Sequence, residues 1–367
     1  MIMMNGIAEA FAAMPDPRRP NARHHKLEDI LMIAFCASLC GAESCVDMAG
    51  FAQSKEDVLG EFLEMANGPP SHDTFSRVFR LLDPASFGSC FADYLSRFAQ
   101  ACKGHVAIDG KALRGAHDRA AGGSPLHMVS AFASEARLTL GQLATDDKSN
   151  EIPAVRGLLA LLSLEGCTVT LDAMHAQKET AQAILDKKAD YILALKGNQG
   201  TLLDDVRLLF DDPQSPIHDC AKTVDGDHGR IETREALLCT DTEWLQKEHG
   251  WPGLACIGKI TAMREQDGQS TVQTRYYLLS RVMKAEEFIS LVRNHWAIEN
   301  SLHWVLDVVM REDHSRSRKD NAPPNLAILR RMALNVIKAN KDKGSNRLKI
   351  KKAGWDDRFL RQLIAQC

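Results

Sequence analysis

From His105 the chain adopts a pattern that restricts its fold. Three short runs of strand character, HVAID, PLHMVSAFAS and RLTLGQLAT, follow one another with only Gly-containing or short polar turns between them. EIPAVRGLLALLSL then carries helical spacing, CTVTLDA is strand-like and QKETAQAILDKKA is helical. DYILALK is a fifth strand and NQGTLLDDVRLLF a further helix. Three antiparallel strands followed by βαβα units predict a mixed sheet of α/β class with helices on its faces. Asp109 closes the first strand and Asp172 the fourth, and such a sheet places them side by side. Strand ends at the carboxyl edge of a sheet face a crevice, where ligands bind.

The flanking segments read differently. Residues 1 to about 98 are helical in pattern, with HKLEDILMIAFCASLCGA carrying an apolar face from Leu27 to Leu39, and with Ser71 or Asp73 as an N-cap further on. Between about 213 and 282 the strand-like stretches KTVDGDHGRIETREALLCT and LACIGKITAMREQDGQSTVQTRYYLLS predict a β-rich insertion, with a hairpin at EQDGQ. Helical spacing returns through Phe288, Leu291, Ile298, Leu302 and Leu306. A helix from Asn325 precedes a basic tail over 341–367.

No run approaches the roughly 18 apolar residues of a membrane helix, and no secretory pattern opens the chain. The ten cysteines form no C-x-x-C pair, which disfavours zinc ribbons and disulfide scaffolds and fits a cytoplasmic, reducing location. The net charge of -3 argues against a uniformly basic nucleic-acid coat. From Arg311 to Arg361, however, 15 Lys plus Arg stand against six Asp plus Glu. Such runs usually end as solvated helix surface, and the alternative is a face that contacts phosphates.

Glu299 in HWAIENSLHWVLD supplies a third acid, so that about 60 and then about 130 residues separate the three. Carboxylate oxygens are the donors hard divalent cations prefer, and three of them can hold the metals for phosphoryl transfer. Singly, each acid is more often a turn or capping residue. His303 lies at i+4 from Glu299, either to order it or to contact phosphate. Asp307 is about 12 Å further along the axis and cannot serve the same centre. Lys196 in KGNQG suits a phosphate contact or an exposed turn. In HGRIETRE, with His228, alternation puts Arg230, Glu232 and Arg234 on one strand face, facing either DNA or solvent. Trp296 and Trp304 read as core residues. His295 and Glu299 lack the H-E-x-x-H pattern of a zinc protease, and no P-loop is present.

In combination these motifs resemble the DDE insertion-sequence transposases, in the group related to the H-repeat-associated proteins. The resemblance rests on HHKLEDILMIAFCASLCGAES through GPPSHDTFSRVFRLLDP, then on AIDGKALRGA, LDAMHAQKETA, YILALKGNQ and HGRIETR. It closes on RNHWAIENSLHWVLDVVMREDHSR and NAPPNLAILRRMALNVIK. It implies a helical transposase-associated domain over 1–98 and a ribonuclease H-like catalytic domain over 99–340. It also implies a metal-binding triad of Asp109, Asp172 and Glu299 loaded with Mg2+ or Mn2+. The implied chemistry is nicking at element ends and strand transfer by the freed 3′-hydroxyl. The implied partners are the terminal inverted repeats and target DNA, engaged by a homodimer. Lys196, Arg230, Arg293, His303, Arg330 and Arg331 are the expected DNA contacts. One departure stands out. Where relatives carry Y-x2-R-x3-E-x6-K, this chain has Val292, His295 and Leu306, leaving Arg293 and His303 as substitutes. Competing readings are a ribonuclease H-like nuclease that cuts without joining, and a domesticated DNA-binding relative without catalysis. The intact acids weigh against the latter.

Overall fold

The computed structural model describes residues 6–98, 104–116, 125–145, 151–227 and 230–366. Among the described residues six α-helices come first: α1 (Ile7–Ala12), α2 (Leu27–Leu39), α3 (Cys45–Ser54), α4 (Glu56–Leu59), α5 (His72–Leu81) and α6 (Pro84–Phe98). Their starts are written locally. Ser44 and Asp47 form a reciprocal capping box at α3, and the Ser71 hydroxyl accepts the Thr74 amide at α5. The expected apolar face of α2 is instead buried all round, with only Glu28 outside the core. Its neighbours α1, α3, α12 (Ala322–Ala339), α13 (Asn346–Trp355) and α14 (Asp357–Ile364) enclose it from several sides.

Among the described residues the sheet has nine strands in the order β3-β2-β1-β4-β5-β9-β8-β7-β6. Strands β1 (Gly104–Leu113), β2 (Leu126–Ala133) and β3 (Leu138–Thr145) are antiparallel, as their short connections require. The crossover helices α7 (Glu151–Leu161) and α8 (Lys178–Asp186) make β4 (Cys167–Leu171) parallel to β1, and β5 (Asp190–Leu195) parallel to β4. Helix α9 (Gly200–Asp211) follows. This half is a ribonuclease H-like core, as the sequence pattern predicts.

The β-rich insertion is no separate body. β6 (Ile217–Asp227), β7 (Arg230–Cys239), β8 (Cys256–Gln266) and β9 (Gln269–Leu279) form an antiparallel run, with α10 (Glu243–His249) between β7 and β8. β9 pairs with β5, so the insertion extends the catalytic sheet. The predicted hairpin is present. Asp267 and Gly268 both have positive φ and form the two-residue turn between Gln266 and Gln269.

Helix α11 (Ala285–His295) crosses one face of this sheet, touching β6 and β7 in the insertion and β1 and β4 in the core. Gly258 on β8 allows that approach, because a Cβ there would lie 2.5 Å from the Phe288 ring. Phe288 and Ile289 bury against Leu238, Ile260 and Tyr277. Beyond α11 the chain stays helical but widens into π turns over Glu299–His303 and Val305–Val309. Ile298, Leu302, Val305, Leu306 and Met310 from this segment join the N-terminal helices and α12 in one apolar core. The segment expected as a basic tail, 341–367, contains α13 and α14 and packs on that core.

Candidate metal centre and its approach groove

Parallel pairing of β1 with β4 ends at Ile108 opposite Leu171, so Asp109 and Asp172 are the next residues on neighbouring strands. Asp172 does follow its strand. Asp109 does not close β1, which continues to Leu113 paired with β2. Its side chain is 24 % exposed, and burial raises its pKa against the pull of His303 and His295. Asp172 is exposed. His295 first, then Lys196, holds its carboxyl below the ordinary value.

Glu299 reaches the site from the π segment. Its Oε2 lies 3.0 Å from His303 Nδ1, and His303 Nδ1 lies 3.8 Å from Asp109 Oδ2. One donor atom each from Asp109, Glu299 and His303 falls within a 4.8 Å cluster, and the charge of Asp172 is felt by both Asp109 and Glu299. The His303 hydrogen bond holds Glu299 below its ordinary pKa. Carboxylates at Asp109 and Glu299 within one cluster, with the charge of Asp172 bearing on both, are a donor set suited to a divalent cation.

The π turns explain why the helix can offer this row. Ile298, Leu302, Leu306 and Met310 repeat every four residues, and so do Glu299, His303 and Asp307. In an α-helix a four-residue repeat drifts by about 40° per step. Widened turns, in which the Trp304 amide bonds Glu299 O and the Met310 amide bonds Val305 O, keep both rows aligned. His303 meets Asp109, and Asp307 meets Lys111 two residues along the same face of β1, at 2.7 Å. Asp307 is therefore tied to a lysine rather than free for the centre.

Behind the site, Lys111 also approaches Glu312 (3.3 Å) and Asp313 (3.2 Å). Glu312 is buried, yet Arg331, Lys111 and Arg330 outweigh the desolvation and hold it at about 2. Arg331 is 0 % exposed, with Nη1 2.7 Å from Glu312 Oε1, and Arg330 is 5 % exposed. The expectation that these two arginines meet DNA is thus corrected: α12 is enclosed, and the pair supports the catalytic region from inside. Glu151 lies on the other side of β1, bonded to His127 at 3.0 Å. Gly110 admits it, since a Cβ there would stand 2.8 Å from the carboxylate.

Other predicted residues line an open groove beside the acids. Arg230, Glu232, Arg234, Arg264, Arg275 and Arg293 share a cavity of about 390 Å³ under α11. Glu232 and Asp225 pair with several of these arginines, and Arg293 lies 2.8 Å from Asp225. Lys196 lines an adjoining hollow with Asp172, His295 and Tyr277. His228 lies outside the described residues. Trp296 and Trp304, expected in the core, are 48 % and 56 % exposed, and Arg275 lies 5.4 Å from the Trp296 ring centre. Apolar identity suggested burial, but both fall on helix turns facing away from the shared core. The sequence reading passed over His105, Thr170 and Lys111. Nothing in their spacing marks them, because their partners come from distant strands and helices.

A ribonuclease H-like sheet with clustered acids at the β1–β4 edge defines a class of metal-dependent nucleic-acid enzymes. The Transposase DDE domain family matches residues 100–336, and the DDE_Tnp_1-associated family matches residues 8–95. "Putative transposase YncI" of Escherichia coli O157:H7 is 37% identical, over 99% of this chain and 95% of its own length. "H repeat-associated putative transposase YhhI" of Escherichia coli K12 is 35% identical, over 98% and 97%. Among solved structures, a piggyBac transposase synaptic complex with hairpin DNA aligns at 13% identity and a TM-score of 0.46, over 97% of this chain and 77% of that one. The chain belongs to the DDE transposase family.

Proposed function

We propose that this protein binds the terminal inverted repeats of its own insertion sequence, cleaves there with the help of divalent metal, and joins the freed ends to target DNA. What supports this reading is the cluster of Asp109, Glu299 and His303, together with Asp172, which follows β4 on the strand paired with β1 and whose charge bears on both Asp109 and Glu299. Those three carboxylates would hold Mg2+ or Mn2+, which when bound activates a water or 3′-hydroxyl and stabilises the leaving oxygen. The chain's own residues arrange the rest. His303 holds the Glu299 carboxylate by a 3.0 Å hydrogen bond, and Lys111 keeps Asp307 away from the centre. The arginine-lined groove and Lys196 offer cations along a path to the acids, suited to a phosphate backbone. Arg230 and Arg293 are exposed and are proposed DNA contacts there, in a protein that acts in the cytoplasm as a homodimer on DNA.

Asp109→Asn tests the catalytic assignment. The amide is a poor metal ligand but removes only one charge, so cleavage of a terminal-repeat duplex should fall by at least a hundredfold while gel-shift affinity stays within a few-fold. Wild-type cutting by this variant in Mg2+ would overturn the assignment. Strand transfer has its own readout, the joining of labelled 3′-hydroxyl ends to plasmid. Cutting without joined product would reduce the protein to a nuclease.

A further inference from the structure

The histidine at the departure from the family pattern, His295, sits at the end of a hydrogen-bond chain whose direction can be deduced. Ser134 Oγ donates to the Asn294 carbonyl at 3.3 Å, and a carbonyl only accepts. Ser134 has then spent its one proton, so at 2.8 Å it accepts from His105 Nδ1. His105 is 2 % exposed, and burial pushes its pKa to about 3, so the ring is neutral and its Nε2 accepts. The Thr170 hydroxyl supplies that proton at 2.7 Å. Thr170 Oγ1 in turn accepts from His295 Nδ1 at 2.8 Å. In its neutral form His295 therefore carries its proton on Nδ1, and the lone pair on Nε2 faces Asp172 Oδ1 at 3.6 Å. A lone pair and a carboxylate oxygen repel unless Nε2 takes up a proton, as in the ion pair that lowers the Asp172 pKa, or a metal cation stands between them. The spacing is long for a hydrogen bond, whereas two donors each about 2.1 Å from one ion lie about 3–4 Å apart.

His303 offers a contrast. Its Nδ1 lies in the acidic cluster, but its Nε2 is buried without a hydrogen-bond partner among the described residues. A histidine that binds metal nearly always donates its other N–H to an acceptor that fixes tautomer and ring orientation. His295 has that support through three further side chains and His303 has none. We propose that His295 Nε2 is a metal ligand alongside Asp172, making the centre a mixed nitrogen and oxygen site, while His303 serves as a hydrogen-bond donor to Glu299. Imidazole suits the transition metals better than Mg2+, so the site should prefer Mn2+. This inference rests on the proposed metal-dependent reading and on Asp172 as a ligand.

The test is pulsed electron paramagnetic resonance of Mn2+ bound to the full-length protein, with and without 15N-histidine. Wild type should show modulation from one directly bound imidazole nitrogen, shifting with the isotope. His295→Gln should abolish it and weaken Mn2+ binding tenfold or more, while His303→Gln should retain it. Thr170→Val, which removes the acceptor orienting the ring but leaves the imidazole, should weaken Mn2+ while keeping the nitrogen signal. Circular dichroism of each variant confirms that the fold persists. Bound Mn2+ without nitrogen modulation would refute the ligand but leave an all-carboxylate centre and the proposed function standing. Modulation lost only in His303→Gln would assign the other histidine and overturn the inference. Failure of wild type to bind Mn2+ or Mg2+ at all would remove both this inference and the metal-dependent reading.

Discussion

At the scale of single residues, buried charges lie directly behind the acidic site. Arg331 and Glu312 are both wholly buried and bonded at 2.7 Å, and Lys111 reaches the same carboxylate. Arg331→Ala leaves Glu312 short of its main partner, and should cost about 3–5 kcal/mol in urea unfolding. Replacing both, as Arg331→Met with Glu312→Leu, should cost much less, because no uncompensated charge remains. An equal loss in the single and double variants would mean that packing, not charge, sets the effect. The same carboxylate predicts a pH dependence. Its pKa lies at about 2 in the folded protein, below the ordinary 4.5, so its contribution is present above about pH 4.5. That contribution is lost as pH falls from there towards 2. The acid side of the stability profile of Arg331→Met with Glu312→Leu should therefore be flatter than that of wild type. The sequence showed a run of positive charge but not that Arg330, Arg331 and Lys349 in it are buried while most of the others stay exposed. Lys338 bonds Ser301 O, Lys349 bonds Asn340 O, and Lys352 pairs with Asp342.

At the scale of elements, α11 links the insertion to the acidic cluster. It lies on β8 because Gly258 presents no Cβ to Phe288, and a few residues later it delivers His295 and Glu299. Gly258→Val should lift the helix. Overpacking of this kind destabilises by about 1–3 kcal/mol, and cleavage should fall further than the loss of folded protein accounts for. Val272→Thr, on the 65 % exposed tip of β9, should change neither stability nor cleavage. If Gly258→Val cleaved normally once folded, the coupling of α11 to the acids would be wrong. Much of this layer was legible. Asp-Gly between alternating runs marked the β8–β9 hairpin, and the end of β4 at Asp172 marked the β1–β4 edge, although β1 runs on past Asp109 to Leu113. The π turns could have been read from two rows repeating every four residues, at Ile298-Leu302-Leu306 and Glu299-His303-Asp307. Helix α10 was missed because its seven residues fall inside a stretch dominated by strand patterning.

At the scale of the whole molecule, the N-terminal helices and the catalytic domain share one apolar core. Phe35 and Phe75 lie in the same buried cluster as Leu302, Leu306 and Leu329, and α2 packs directly on α12. A chain that begins at residue 99 would expose that face, so it should fail to fold cooperatively, lacking near-ultraviolet circular dichroism and aggregating. The intact chain should unfold with the N-terminal helices and the Glu299 segment protected together in hydrogen exchange. A soluble, cooperatively folding fragment would show the two parts to be separable. Binding to DNA is better probed by point changes on the groove, such as Arg264→Ala, than by removing either end.

The sequence by itself determined the local elements, the sheet half from β1 to β5 and the family, because periodicity, turn residues and ordered motifs are properties of neighbouring positions. It also placed Asp109 beside Asp172, since parallel pairing through a crossover follows from strand order. Only the tertiary structure decided which charges stay exposed and which face inward. It alone joined the insertion to the same sheet, and it alone linked His295 to Ser134 through Thr170 and His105. Those outcomes depend on contacts between residues far apart in sequence, 196 for Thr139 and Asn335 and 268 for Glu43 and Arg311, where burial and hydrogen-bond direction are set by the fold.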